Sequence, residues 1–189
     1  MKFQTIAVVG AGVMGRGIAQ ALVMNGLDVV LIDVDIGALD KACLEIRQSL
    51  RMQGLFGKDS VDVEACLAHI RCTTELGHAA AADFVVENIT EQPDLKEPLY
   101  RRLDEVCRPE VPFAANTSVI SITRIGSWTQ RPDRVVGMHF MNPVPLKPVV
   151  EVIRGHHTSD DTLDRARAFL KQMKKRAVVV NDLPGFVSN

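Results

Sequence analysis

Gly10-Ala11-Gly12-Val13-Met14-Gly15 follows an apolar run rich in Ile and Val and opens a stretch with helical spacing of apolar side chains. A turn of this kind can cradle a pyrophosphate. Gly10 permits the tight turn, Gly12 lets phosphate oxygens approach the backbone, and Gly15 lets the helix pack against the strand. The helix N-terminus adds unpaired N–H groups and partial positive charge. Asp33 ends the next apolar run, about 20 residues on, where a carboxylate accepts from a ribose 2′-hydroxyl and repels a 2′-phosphate. Val34, Asp35 and Ile36 follow it, with no Arg or Lys to welcome that phosphate. The expected cofactor is NAD rather than NADP. Gly-x-Gly-x-x-Gly alone is common in turns; the strand before it, the helix after it and the acid beyond give it meaning here.

A nicotinamide cofactor implies hydride chemistry on an alcohol, which needs a proton acceptor working near neutral pH. Histidine is the residue type suited to this, and a neighbouring carboxylate orients the ring and stabilises its protonated form. His139 lies in the apolar run Val135 to Phe140, and Glu151 in the run Val149 to Ile153. A loop with three prolines, Met141 to Pro148, joins them, so the two side chains can be presented side by side. Taken singly, each has an ordinary reading. Glu151 would be a surface carboxylate, and Ser118, after Asn116-Thr117, a helix N-cap. His69, His78, His156 and His157 read as surface or loop residues.

The elements that must position these groups alternate. Strands are expected at Phe3 to Val9, Val29 to Ile32, Ile70 to Thr73, Phe84 to Val86, Pro112 to Ala115, Val135 to Phe140, Val149 to Ile153 and Ala177 to Val180. Helices are expected at Val13 to Met24, Ile36 to about Leu55, Val61 to His69, Asp94 to Cys107 and Asp161 to Met173. Such alternation indicates an α/β fold, a Rossmann-type, doubly wound, mostly parallel sheet with flanking helices.

The remaining composition is restrictive. The 189 residues carry a formal net charge of −1, so no global basic field attracts nucleic acid or anionic membrane. Lys174-Lys175-Arg176 reads as a solvated helix end. Cys43, Cys66, Cys72 and Cys107 form no Cys-x-x-Cys pair and no metal-ligand spacing with His, so free thiols and no metal site are expected. The apolar N-terminal run ends in glycines, and Asp28 arrives before a membrane span is complete. A cytoplasmic protein without a targeting segment is expected.

Four further segments sharpen the functional reading. They are Ala115-Asn116-Thr117-Ser118, Gly137-Met138-His139-Phe140-Met141-Asn142-Pro143-Val144-Pro145, Val149-Val150-Glu151-Val152-Ile153 and Pro184-Gly185-Phe186-Val187-Ser188-Asn189. In order and spacing they resemble the L-3-hydroxyacyl-CoA dehydrogenase family from Ile6 to Asn189. The resemblance implies NAD-dependent oxidation of an L-3-hydroxyacyl thioester, or the reverse reduction. It implies His139 as catalytic base, Glu151 as its carboxylate partner, and Ser118 and Asn189 as donors to the reacting oxygen. Glu91, Lys96, Ser118 and Asn142 match positions lining the nicotinamide half of the cofactor site. Ser49 matches a residue that contacts CoA, with Ser118 and Asn142 also facing substrate.

Two departures from the family pattern stand out. A lysine that meets CoA phosphates falls here on Phe56, with Lys58 two residues later, which leaves open an acyl-carrier-protein thioester or another small hydroxy substrate. The resemblance also implies a helical domain after the Pro-Gly-Phe segment, which closes the acyl pocket and forms a homodimer interface. On that reading residues 1–183 are the NAD-binding domain, and 184–189 start a linker to a helical domain the chain lacks. A fragment of this kind is expected to bind NAD but to lack full activity. A non-catalytic NAD-binding or structural protein is the alternative from another class. The short-chain dehydrogenase pattern fails, since Tyr100 is followed four residues on by Asp104 rather than Lys.

Overall fold

A computed structural model of the chain describes residues 2–56 and 62–183, excepting the side chains of residues 55 and 56. The Pro-Gly-Phe segment with Asn189, and Lys58, lie outside the described residues.

Strand β1 (Thr5–Val9) leads through the glycine turn into helix α1 (Val13–Val23), then β2 (Asp28–Ile32) and the long α2 (Ile36–Phe56). A short α3 (Val63–Ala68) precedes β3 (Ile70–Thr73). Beyond a 3₁₀ turn come β4 (Phe84–Glu87), α4 (Pro93–Val106), β5 (Phe113–Ala115) and the short α5 (Ile122–Gly126). The chain continues as β6 (Val135–Phe140), β7 (Val149–Arg154), α6 (Asp160–Gln172) and β8 (Arg176–Asn181). Each element expected from sequence is present, with boundaries moved by one or two residues; α5 was not anticipated. Its five residues are too few for a helical period to show. Its N-cap is Ser121, whose side chain accepts from Arg124 N–H, so the ordinary capping role imagined for Ser118 belongs to Ser121.

One eight-stranded sheet has the order β3-β2-β1-β4-β5-β6-β7-β8. β3 to β6 run parallel to one another, and β7 enters antiparallel to β6 with β8 parallel to β7. Alternating residues of β1 show why both faces are covered. Ile6 and Val8 pack with Ile18 and Leu22 of α1, Leu39 and Ile46 of α2, and Phe169 of α6. Ala7 and Val9 pack on the other face, with Tyr100 and Leu103 of α4 and Ile122 and Ile125 of α5. Strands buried on both faces must be apolar at successive positions, which is why these runs show no polar alternation. Each fully buried Leu, Ile or Phe contributes about 1.5–3 kcal/mol, so the two layers hold the sheet rigid beneath the site.

β1 lies between β2 and β4, where the chain's direction of winding across the sheet reverses. The glycine turn emerges at the carboxyl end of β1, at this switch point, where open α/β sheets place their ligands.

Among the described residues no helix is long and apolar enough to cross a membrane, and no three His, Cys, Asp or Glu side chains converge as metal ligands would. Lys175 corrects the reading of its cluster as solvated. It is half-buried, and its Nζ donates to the carbonyls of Val144 at 2.6 Å and Lys147 at 2.7 Å. Burial lowers its ammonium from the ordinary lysine value. The lysine thereby pins the proline loop that follows His139.

Candidate active site

The glycine turn is shaped by contacts a side chain would destroy. Gly10 has φ +94°, a conformation L side chains rarely adopt, and a Cβ there would lie 2.8 Å from the Asn88 carbonyl. A Cβ on Gly15 would strike the carbonyl oxygen of Gly10. Gly12 differs, because a Cβ there meets no protein atom within 4 Å. It is also the N-cap of α1, with no side-chain capping bond and no acid in the first turn of the helix. The space over Gly12 and the uncapped N–H groups suit an anion.

Asp33 is tied to this turn. Its Oδ2 accepts from Ala11 N–H at 2.7 Å and its Oδ1 from Asp35 N–H at 3.0 Å. Its own N–H donates to the Thr73 carbonyl at 3.3 Å. The carboxylate is held at the end of β2 beside the turn, where sequence spacing expected it.

Across the switch point, β6 and β7 bring His139 directly opposite Glu151 in the antiparallel register. His139 Nδ1 and Glu151 Oε2 are 2.8 Å apart, and both residues are buried, at 8% and 6% exposure. A carboxylate can only accept, so Nδ1 carries a proton, and in a neutral ring Nε2 is then the acceptor. Ser118 Oγ lies 3.2 Å from Nε2. The serine, the histidine and the glutamate thus form a line from half-exposed surface into the sheet.

Ser118 is fixed from behind. Its N–H donates to Glu91 Oε1 at 3.0 Å, and the Thr117 hydroxyl also donates to that oxygen. Glu91 Oε2 lies 3.6 Å from Lys96 Nζ. Lys96 is fully buried, and its ammonium donates to both oxygens of Glu87, at 2.7 and 2.8 Å. The Tyr100 hydroxyl adds a third bond to Glu87, at 3.1 Å. Burial pushes the Glu87 carboxyl up, opposed by the Lys96 charge. Burial and the Glu87 charge push the Tyr100 phenol well up, so it stays protonated as a donor. Lys96 was expected to line the cofactor site. In the structure its ammonium is enclosed by Glu87 and faces Glu91.

Asn116 joins three strand ends, donating to Asn88 Oδ1 at 2.9 Å and accepting from Phe140 N–H at 3.2 Å. Asn142 and Ser49 line one cleft of about 620 Å³ with Arg16, Gly17, Gln20 and Pro145. Gln20 donates to Ser49 Oγ at 2.9 Å, which fixes the serine on α2 against α1.

Sequence reasoning missed Glu87, Thr117, Asn116, Gln20 and Lys175. Glu87 left a trace as the single acid ending the apolar run Phe84-Val85-Val86, and Lys96 with Tyr100 left one as an i, i+4 pair on α4. The others carried no local signal.

A family profile described as the NAD-binding domain of 3-hydroxyacyl-CoA dehydrogenase matches residues 5–183. The chain belongs to this family. A protein of Bacillus subtilis named as a probable 3-hydroxybutyryl-CoA dehydrogenase is 42% identical over 190 residues, covering 100% of this chain and 66% of that protein. A 3-hydroxybutyryl-CoA dehydrogenase of Bradyrhizobium diazoefficiens is 39% identical over 187 residues, covering 97% of this chain and 63% of that protein. The crystal structure of (S)-3-hydroxybutyryl-CoA dehydrogenase from Ralstonia eutropha superposes with a TM-score of 0.96 at 41% identity, covering 100% of this chain and 67% of that one. The chain spans about two thirds of the length of the relatives it matches. The family's NAD-binding domain, a mostly parallel doubly wound sheet, is therefore what the fold presents.

Proposed function

We propose that the protein oxidises an L-3-hydroxyacyl-CoA to the 3-oxoacyl-CoA with NAD, or runs the reverse reduction. The observation that carries this reading is the line Ser118–His139–Glu151, built from the loop after β5 and the adjacent strands β6 and β7, with His139 near the carboxyl end of β6 as the glycine turn is at the carboxyl end of β1. NAD, when bound, would supply the acceptor for the hydride of the carbinol carbon. The remaining work belongs to the chain's own residues.

The uncapped N-terminus of α1 and the open space at Gly12 would hold the pyrophosphate, and Asp33 would accept from the adenosine ribose. His139 Nε2 takes the hydroxyl proton as the carbinol carbon is oxidised. Glu151 keeps Nδ1 protonated, so Nε2 is presented as the base, and it stabilises the imidazolium that results. The Ser118 hydroxyl donates to the substrate oxygen as negative charge develops there. Glu91 holds the Ser118 backbone, and the buried Glu87–Lys96 pair holds Glu91. Asn142, three residues beyond His139, and Ser49 face one cleft, which supports a thioester laid between α1, α2 and the proline loop. The matched relatives are named for CoA substrates, which favours CoA over a carrier protein. Asn189 is proposed as a second donor to the substrate oxygen, from the sequence alone.

NADH formation from NAD and (S)-3-hydroxybutyryl-CoA, followed by absorbance with the full-length protein, tests the proposal. Turnover is expected with the S substrate and not with the R. Turnover only with acyl-carrier-protein thioesters would overturn the CoA assignment, and NAD binding without turnover of any hydroxyacyl thioester would overturn the reaction.

A further inference from the structure

Cys43 on α2 and Cys72 on β3 lie 29 positions apart in the chain, and their Sγ atoms are 2.8 Å apart. A disulfide bond is about 2.05 Å long, so closure takes a movement of under about 1 Å. Nothing in their spacing advertises the pair; it exists because α2 lies across β3. Both residues are half-buried. Cys43 opens onto a cavity of about 360 Å³, lined also by Leu44, Arg47, Leu67 and Ile70, which gives a small oxidant a path to its sulfur.

The two thiols are unequal. The two sulfurs share a hydrogen bond, which brings the Cys43 thiol down to about 7, with Arg47 helping and burial and Asp40 opposing. The same bond pushes the Cys72 thiol up. The lowering at Cys43 favours its thiolate, the nucleophilic form. The other two cysteines lack this activation. Burial raises Cys66 and pushes Cys107 up to about 11, and the Cys107 thiol is engaged with the Ala79 carbonyl.

We propose that Cys43 and Cys72 form a reversible thiol–disulfide site that takes a hydroperoxide as oxidant, with Cys43 attacking and Cys72 resolving. The Cys43 thiolate attacks one peroxide oxygen and the O–O bond breaks. Cys43 becomes a sulfenic acid, and the hydroxide released takes up a proton, the one Cys43 gave up on ionising, to leave as water. Cys72 then attacks the Cys43 sulfur, the S–OH bond breaks, and the hydroxyl leaves with the Cys72 proton as a second water. Two thiols give up two electrons and hydrogen peroxide receives them; a dithiol reductant reverses the change. The bond ties together the two elements flanking Asp33. The Thr73 carbonyl of β3 accepts the Asp33 N–H, and α2 begins at Ile36. In a reducing compartment such a bond would be transient, as redox-sensing disulfides are.

The test treats the folded full chain with hydrogen peroxide, counts free thiols and maps peptides. Two of the four thiols are expected to disappear. A Cys43–Cys72 cross-linked peptide, lighter by two hydrogens than its reduced parts, should appear and be lost with dithiothreitol. Cys72→Ser is expected to stop at a Cys43 sulfenic acid that dimedone traps several-fold more than in the parent. Cys43→Ser is expected to slow oxidation of position 72 at least tenfold. Circular dichroism of both serine variants checks that they fold, and the peptide map of the parent protein stands without them. Cross-links joining Cys43 to Cys66 or Cys107 would overturn the proposal. So would oxidation of Cys72 at the parent's rate in Cys43→Ser, or a parent that keeps both thiols while Cys66 oxidises.

Discussion

Glu151 stands directly opposite His139 across the antiparallel β6–β7 pair, and its Oε2 lies 2.8 Å from His139 Nδ1. The pair is short, buried and held by two paired strands rather than by a loop. His139→Gln is expected to lower turnover by about 10²–10⁴-fold with NAD affinity nearly unchanged. Glu151→Gln, which removes the charge and keeps an acceptor, is expected to cost about 10–100-fold, the range of a hydrogen bond to a charged group. Steady-state kinetics and fluorescence titration of NADH check both. Parent-like turnover in His139→Gln would remove it as the base.

The glycine turn separates folding from binding. Gly15→Ala drives a Cβ into the Gly10 carbonyl and is expected to destabilise the domain. Gly12→Ala meets no protein atom within 4 Å and is expected to melt at the parent temperature while binding NAD at least tenfold more weakly. Thermal melts beside NAD titrations measure this, and tight NAD binding by Gly12→Ala would place the pyrophosphate elsewhere.

Asp33 accepts from the turn and is expected to accept from the adenosine ribose as well. Asp33→Asn keeps an acceptor oxygen but loses the charge that repels a 2′-phosphate. NAD binding is expected to weaken by roughly tenfold, about 1.4 kcal/mol, with a smaller preference for NAD over NADP. An unchanged NAD to NADP ratio would end the selectivity role.

Glu87 and Lys96 are both fully buried, and removing Lys96 takes from the Glu87 carboxylate the cation it pairs with. Lys96→Met alone is expected to cost about 3–5 kcal/mol of stability, whereas Lys96→Met with Glu87→Leu should recover most of it. Urea denaturation of the two single variants and the double variant gives the coupling. If the double variant retains stability but turns over slowly, the pair acts by positioning Glu91 and Ser118.

Asp182 binds the start of α5, accepting from Ser121 Oγ at 2.7 Å, Ile122 N–H at 3.0 Å and Thr123 N–H at 2.8 Å. Burial alone would raise its carboxyl, but these bonds outweigh it and hold the group below the ordinary aspartate value. A carboxylate lowered in the folded state contributes stability above its unfolded pKa and loses it as pH falls through the folded value. Stability is therefore expected to drop on acidification below about pH 4, and Asp182→Asn should flatten that limb. Asp83, lowered by its bonds from Gln4, Thr5 and Arg108, contributes to the same limb. Denaturation midpoints from pH 3 to 6 provide the check, and an identical acid limb in Asp182→Asn would discount it.

Much of the fold could be read from local pattern. Strands covered on both faces leave runs such as Ile6 to Val9 and Phe84 to Val86, and amphipathic helices leave a 3.6-residue period, so composition alone betrays them. The five residues of α5 left no such trace. From local pattern alone, the site was legible where function demands a residue type at a fixed spacing. The glycines and Asp33 meet that condition, since each answers to a neighbour within one βαβ unit.

The amino-acid sequence by itself determined the alternation of strands and helices, the glycine turn with its acid, and the presence of a histidine and a glutamate in two strands joined by prolines. Tertiary structure alone decided that β7 reverses direction and so sets Glu151 across from His139. It also decided that Lys96 is enclosed by Glu87, that Lys175 holds the proline loop, and that Cys43 meets Cys72. The physical reason is range. Backbone propensity and periodicity act over a few residues, whereas charge pairing, burial and sulfur contact depend on which distant segments the sheet order brings together.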